Sequence, residues 1–259
     1  MLLYYIRHAE PIYNPDSITE FGKIQAASLA KRLAEEAIDE VYASSCGRAL
    51  MTAEPTCKLL NKKCIPLDFA REDKVWADMS LEIDGRYNWC FEFRNIVNMF
   101  KDPEVLKLGD NWYDHEMFKD YNFKQGLQRI DQEIDIFLEK LGYVHDRKKK
   151  EYVVKNANDK KIAFVAHSGF GMAFVSSVLD IPYNVFSSSH LQMGTTHITI
   201  IEFKDIDGIC IPRMKCYSDG SHLYKDGVIK WLLWFLQNSQ NDHLRFSKIA
   251  ILAIFLFTK

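Results

Sequence analysis

Five consecutive apolar residues leading straight into a cationic pair constrain this chain more than any other feature. Leu2-Leu3-Tyr4-Tyr5-Ile6 shows no polar alternation, and Arg7-His8 follows at once. A β-favouring run that is apolar at every position reads as a strand buried on both faces, in a parallel or mixed sheet covered by helices on each side. Arg7 and His8 then sit at the carboxyl end of the strand, where open α/β sheets bind ligands. Lys161-Ile162-Ala163-Phe164-Val165-Ala166 repeats the arrangement and ends in His167-Ser168-Gly169. Val41-Tyr42-Ala43 is a shorter version, followed by Ser44-Ser45-Cys46-Gly47-Arg48. The predicted class is α/β: a three-layer α/β/α sandwich with a mostly parallel sheet.

Helical spacing recurs where such a sandwich needs covering elements. Gln25 to Ala34 is apolar at helical period, with Thr19 as its candidate N-cap. From Ala49 to about Leu60, the side chains of Leu50, Ala53, Cys57 and Leu60 share a face, and Leu127, Ile130, Ile134, Phe137, Leu138 and Leu141 do so within Gly126 to Leu141. Phe170 to Leu179 reads as helix, Cys64 to Leu67 as a short strand or extended segment, and Thr195 to Phe203 as an alternating strand. The stretch 69–124 is dense in aromatic residues without a period, which predicts a compact helical and aromatic cap inserted over the sheet. The charge run Asp146 to Glu151 reads as a solvated loop. One domain is expected over residues 1–227, with the cap inside it.

Residues 228–259 form an apolar tail. Its two runs fall far short of the roughly 20 residues that span a bilayer, so no membrane span is expected. A docked helix pair, an interfacial helix and a tail from an altered reading frame all fit it, and a homo-oligomer contact through it is a partner expectation. The formal charge of −2 provides no basic field for nucleic acid or an anionic membrane. The six cysteines (Cys46, Cys57, Cys64, Cys90, Cys210, Cys216) form no CxxC pair, and no zinc-ligand spacing is present, so no metal is expected. The absence of a secretory leader pattern points to reduced thiols and a cytoplasmic location.

Arg7, His8, Arg48 and His167 all fall in loops that follow buried strands, and parallel neighbours would bring them to one sheet edge. Clustered cations repel unless an anion joins them, and a phosphoryl group matches two guanidiniums and two imidazoles best. His197 reads as a packing residue of the last strand and His190 as a loop residue near it. His115, His145, His222 and His243 show no partner pattern.

These residues carry a resemblance. Arg7-His8-Ala9-Glu10-x-x-x-Asn14 resembles the RHGE-T-x-x-N signature of the histidine phosphatase superfamily, also called phosphoglycerate mutase-like. Ser44-Ser45-Cys46-Gly47-Arg48-Ala49-Leu50-x-Thr52-Ala53 is similar to its S-x-x-x-R-A-x-x-T-A segment, and Ala166-His167-Ser168-Gly169 to its later H-G-G motif. Ala9 and Ser168 each replace a glycine. The resemblance covers roughly residues 1–225. It implies that His8 attacks phosphorus to give a phosphohistidine and that Arg7, Arg48 and His167 hold the phosphoryl oxygens, with no metal and no cofactor. Asn14 and Ser168 would add hydrogen bonds to phosphate or substrate, and Glu10 would orient the motif. The family's general acid follows the third strand. Glu72 is the nearest match, with Asp73, Asp78 and Glu82 as rivals. The implied function is hydrolysis of a small phosphorylated substrate. A phosphoglycerate mutase and an inactive phosphate-binding or regulatory module are the alternatives. Arg86 and Arg94 are the only arginines between Lys74 and Lys124, and either could grip a substrate charge, but the arginine-rich substrate segment that the mutases carry is not evident.

Overall fold

The computed structural model describes residues 1–228, so the apolar tail from residue 229 onward, with any oligomer contact it carries, lies outside the described residues. Contacts divide the chain into residues 1–220 and 221–259. The second unit contributes one short described helix, Ser221–Lys225. The first unit carries the fold and the site.

Strand β1 (Leu2–Arg7) is followed by the small hairpin β2 (Pro11–Ile12) and β3 (Ser17–Ile18), then α1 (Glu20–Glu35), β4 (Glu40–Ser44), α2 (Gly47–Leu60) and β5 (Cys64–Leu67). Thr19 caps α1 as its sequence predicts, its hydroxyl accepting from Gly22 N. Next come α3 (Glu72–Met79), the hairpin β6 (Ser80–Ile83) and β7 (Arg86–Trp89), α4 (Arg94–Phe100) and α5 (Pro103–Lys107). Helix α6 (Phe123–Lys140) leads through a second hairpin, β8 (Tyr143–Asp146) and β9 (Glu151–Val154), to β10 (Lys161–Ala166), α7 (Ser168–Val178) and α8 (Tyr183–Ser187). Strands β11 (Ile198–Glu202), β12 (Ile209–Cys210) and β13 (Arg213–Asp219) close the first unit.

The main sheet has six strands in the order β13-β11-β1-β10-β4-β5. β1, β10, β4 and β5 run parallel, while β11 alone is reversed and pairs antiparallel with both β1 and β13, so the sheet is mixed but mostly parallel. The strand pleat explains the unbroken apolar runs. Leu3, Tyr5, Ile162 and Phe164 face a core shared with Phe137 of α6 and Phe170 and Phe174 of α7. Tyr4, Ile6, Ala163 and Val165 face the opposite core, built with Leu29 and Leu33 of α1 and Ala49 and Ala53 of α2. Full burial contributes about 1.5–3 kcal/mol for each large apolar side chain, on both faces of the same strands. No helix among the described residues is long and apolar enough to cross a membrane.

The aromatic stretch after β5 joins the first of these cores. Phe100, Trp112, Phe118 and Phe123 are fully buried and meet ring to ring at 5.0–6.0 Å. Three local expectations change. The run Asp146 to Glu151 is the turn of the β8–β9 hairpin, and Arg147 in it is not free in solvent but bonds Asp135 of α6 at 2.7 and 2.8 Å. His145, for which the sequence shows no partner, is buried between Asp135 and Asp180 at 3.0 and 3.1 Å. Helix α2 begins at Gly47 rather than Ala49, which puts Arg48 in its first turn and not in a loop.

Candidate active site

Register places the two histidines side by side. β1 and β10 pair with Arg7 opposite Ala166, so His8 and His167 leave the sheet together. His8 N donates to Ala166 O at 2.8 Å, and the two imidazoles lie 5.2 Å apart, edge to face. His8 Nδ1 lies 2.7 Å from Ala9 O, which makes Nδ1 the protonated nitrogen and leaves the lone pair on Nε2. The small residue at position 9 is packed in, its N–H donating to Thr52 Oγ1 at 2.9 Å. Burial first, and then the Arg7 and Arg48 charges, push the His8 imidazolium down to about 3. Burial, His8 and the same arginines also hold His167 well below the usual histidine range. Both rings are therefore neutral near pH 7.

The arginines reach this pair from other elements. Asp16, in the β2–β3 turn, accepts from Gly47 N at 2.7 Å and from Arg48 N at 3.4 Å, capping the positive end of α2. The same carboxylate binds Arg48 Nη1 at 2.8 Å. Arg48 Nη2 meets Glu72 Oε2 at 3.1 Å, and Glu72 Oε1 accepts from Gly169 N at 3.1 Å in the first turn of α7. Glu72 Oε2 is also 3.5 Å from His167 Nδ1, while His167 Nε2 lies 2.8 Å from Ser44 Oγ. Arg7 is anchored by Nη1 to Met193 O at 2.6 Å. Arg7 Nε, Arg48 Nε and His167 Nδ1 are buried polar atoms without a hydrogen-bond partner. Three such atoms around one centre call for a polar ligand.

The expected cationic cluster is partly balanced before an anion binds: Asp16 and Glu72 both pair with Arg48, while Arg7 meets the Met193 carbonyl. Sequence reasoning missed Asp16 because its partner is 32 residues away and its loop carries no period. Asn14 is exposed on the same loop, and Ser168 is a half-buried first residue of α7. Glu10 accepts from Thr19 Oγ1 at 2.9 Å, holding the start of α1. Of the four candidate acids only Glu72 reaches His167 and Arg48. Asp73 binds Arg71, Asp78 binds Arg129, and Glu82 is exposed on β6. His197 packs against Ser218 and His190 lies by Lys101, away from these contacts.

Zinc-ligand spacing is absent from the sequence, yet His8, Glu72 and His167 bring ligand atoms within 4.8 Å of one another. Two guanidiniums beside that triad favour an anion over a cation.

Comparison with known proteins matches this arrangement. Residues 3–92 fit the sequence profile of the histidine phosphatase superfamily (branch 1). A Hydrogenobacter thermophilus protein provisionally named phosphoserine phosphatase 2 is 24% identical over 207 residues, 76% of this chain and 88% of that one. Over residues 3–92 the chain is thus similar to the histidine phosphatase superfamily. Solved structures share the histidine phosphatase fold. A mutant phosphoserine phosphatase from Entamoeba histolytica, in complex with phosphoserine, superposes with TM-score 0.54 at 18% identity, covering 86% of this chain and 98% of that one. Mycobacterial glucosyl-3-phosphoglycerate phosphatase with VO3 gives TM-score 0.54 at 14% identity, over 85% and 99%. The α-ribazole phosphatase of Shigella flexneri gives 0.53 at 18%, over 85% and 96%. In this chain His8 and His167 stand side by side at the carboxyl ends of β1 and β10, with Arg7 at the end of β1 and Arg48 joined to His167 through Glu72.

Proposed function

We propose that this chain hydrolyses phosphate monoesters of small molecules without a metal, through a phosphohistidine on His8. The observation that carries the reading is the His8 ring: neutral, with Nδ1 tied to Ala9 O and Nε2 free, beside His167, Arg48 and Glu72. Nε2 attacks phosphorus and the bond to the leaving oxygen breaks. Arg7, Arg48 and His167 hold the equatorial oxygens, and the amino ends of α2 and α7 add positive potential. Arriving phosphoryl oxygens take over Arg48 Nη2 from Glu72. Glu72 takes up the proton that the phosphate monoester monoanion brings, passes it to the leaving oxygen, and later takes a proton from the water that frees inorganic phosphate. Asn14 and Ser168 bind substrate from the rim. The relatives named for phosphoserine and glucosyl-3-phosphoglycerate support a small phosphomonoester. The cysteines of the described residues are free thiols, which supports a cytoplasmic setting.

Alkaline-quench trapping tests the mechanism, because the P–N bond of a phosphohistidine survives base and is hydrolysed in acid. The protein is mixed with 4-nitrophenyl phosphate in the presence of chelator, and the intact mass is read. Turnover with one phosphate adduct that disappears in His8→Ala is the expected result. Phosphate binding with neither turnover nor adduct would establish a binding module instead, and turnover abolished by chelator would overturn the metal-free mechanism.

A further inference from the structure

The leaving group must lie beside Glu72, because that carboxyl group protonates it, and two indoles stand there. Trp76 follows Glu72 by four residues on α3, so both project from the same side of the helix. Trp89 ends β7 and meets Trp76 edge to face at 4.7 Å. Its six-membered ring presses on Gly169 so closely that a Cβ built there would lie 2.3 Å from Trp89 Cη2. The N–H of that same Gly169 donates to Glu72. Phe91 stacks on Trp89 at 5.7 Å, nearly parallel, and Tyr87 meets Trp76 at 5.3 Å while its hydroxyl bonds Ser80 Oγ at 2.6 Å. These contacts fix the indoles in place.

The indoles differ from the other rings of the stretch. Trp112, Phe100, Phe118 and Phe123 are fully buried and belong to the core, whereas Trp76, Trp89 and Phe91 are only half-buried and keep apolar surface in reach of solvent. Of the nearby arginines, Arg71 is held by Asp73 at 2.8 and 3.0 Å, and Arg86 is partly occupied by the face of the Phe93 ring at 5.4 Å. A carboxylate on the leaving group would have to displace Asp73 to reach Arg71. A flat ring would find an aromatic wall already formed.

We propose that Trp76 and Trp89 form the leaving-group subsite and that it selects phosphomonoesters whose alcohol carries an aromatic ring. This rests on the phosphatase reading and on Glu72 as its acid. The test uses esters matched in leaving-group reactivity, 2-phenylethyl phosphate and n-butyl phosphate, with phosphoserine as the acidic comparison. Wild type should turn over the phenylethyl ester with kcat/KM about tenfold above the butyl ester and above phosphoserine. In Trp89→Ala and Trp76→Leu the ratio of the two alkyl esters should fall towards one. Thermal unfolding and inhibition by inorganic phosphate report whether each variant keeps its fold and phosphate site, and Trp89→Leu replaces any variant that does not. Equal kcat/KM for the two esters in wild type, a preference for phosphoserine, or an unchanged ratio in folded variants would overturn the proposal. If no ester is turned over, the phosphatase reading fails separately. The subsite is then decided by equilibrium binding to His8→Ala, where tighter binding of the phenylethyl ester supports it and equal binding rejects it.

Discussion

At the scale of the residue, His8 does two jobs that ordinarily conflict: a nucleophile must be neutral, and a phosphate site must be positive. Burial resolves this by keeping the imidazole neutral while Arg7 and Arg48 carry the charge. Once corrected for the ionisation of the substrate, kcat/KM should therefore stay flat down to about pH 5 instead of falling with an ordinary histidine near 6.5. A pH–rate profile with an activated aryl phosphate checks this. Glu72→Gln should slow alkyl phosphates by about a hundredfold or more and 4-nitrophenyl phosphate far less, since an activated leaving group needs no proton. Equal loss on both substrates would remove Glu72 from the role. Sequence alone narrowed the acid to four carboxylates in one stretch. Only tertiary structure separates them, by giving Asp73 and Asp78 their own arginines and leaving Glu82 outside.

At the scale of the element, the informative case is the start of α2. Its sequence reads as helix from Ala49, because nothing local marks Gly47 and Arg48 as helical. The missing signal is Asp16, a cap supplied from another loop. Asp16→Ala should cost about 1 kcal/mol of stability, as lost caps do. It should also lower kcat/KM, because Arg48 loses one of its two carboxylate partners. Urea unfolding and steady-state kinetics together distinguish this from a purely structural effect. The β8–β9 hairpin was illegible for a related reason. Its four-residue strands carry His145, Asp146 and Glu151 instead of a clean alternation. What holds the hairpin is His145 between Asp135 of α6 and Asp180 after α7. The long buried strands needed no such partners to be read, since apolar runs covered on both faces look the same in sequence and in space.

At the scale of the whole molecule, the buried histidines pull stability in opposite directions with pH. His8 and His167 have lowered values in the folded chain, so below about 6.5 the unfolded chain binds protons that the folded chain refuses. Stability is then lost as pH falls, by about 2 kcal/mol for His8 alone at pH 5. His145 opposes them. Burial lowers it, but Asp135 and Asp180 outweigh burial and raise it, so its contribution is present below the unfolded value and lost as pH rises through the folded one. Urea midpoints should peak between these limbs. His8→Gln should flatten the acid limb and His145→Gln the alkaline one. An unchanged acid limb in His8→Gln would mean that carboxylates elsewhere set it.

The sheet order has a consequence for how the molecule is made. β1 leaves the ribosome well before its neighbours β10 and β11, yet belongs between them in the sheet. At typical rates of translation, on the order of 10–30 s separate Leu2–Ile6 from the strand that shelters it. Throughout that interval a naked apolar ribbon trails from the ribosome, a natural client for chaperones. A nascent chain halted before residue 161 lacks His167 and both neighbours of β1, so interrupted synthesis leaves an adhesive fragment and no partial enzyme.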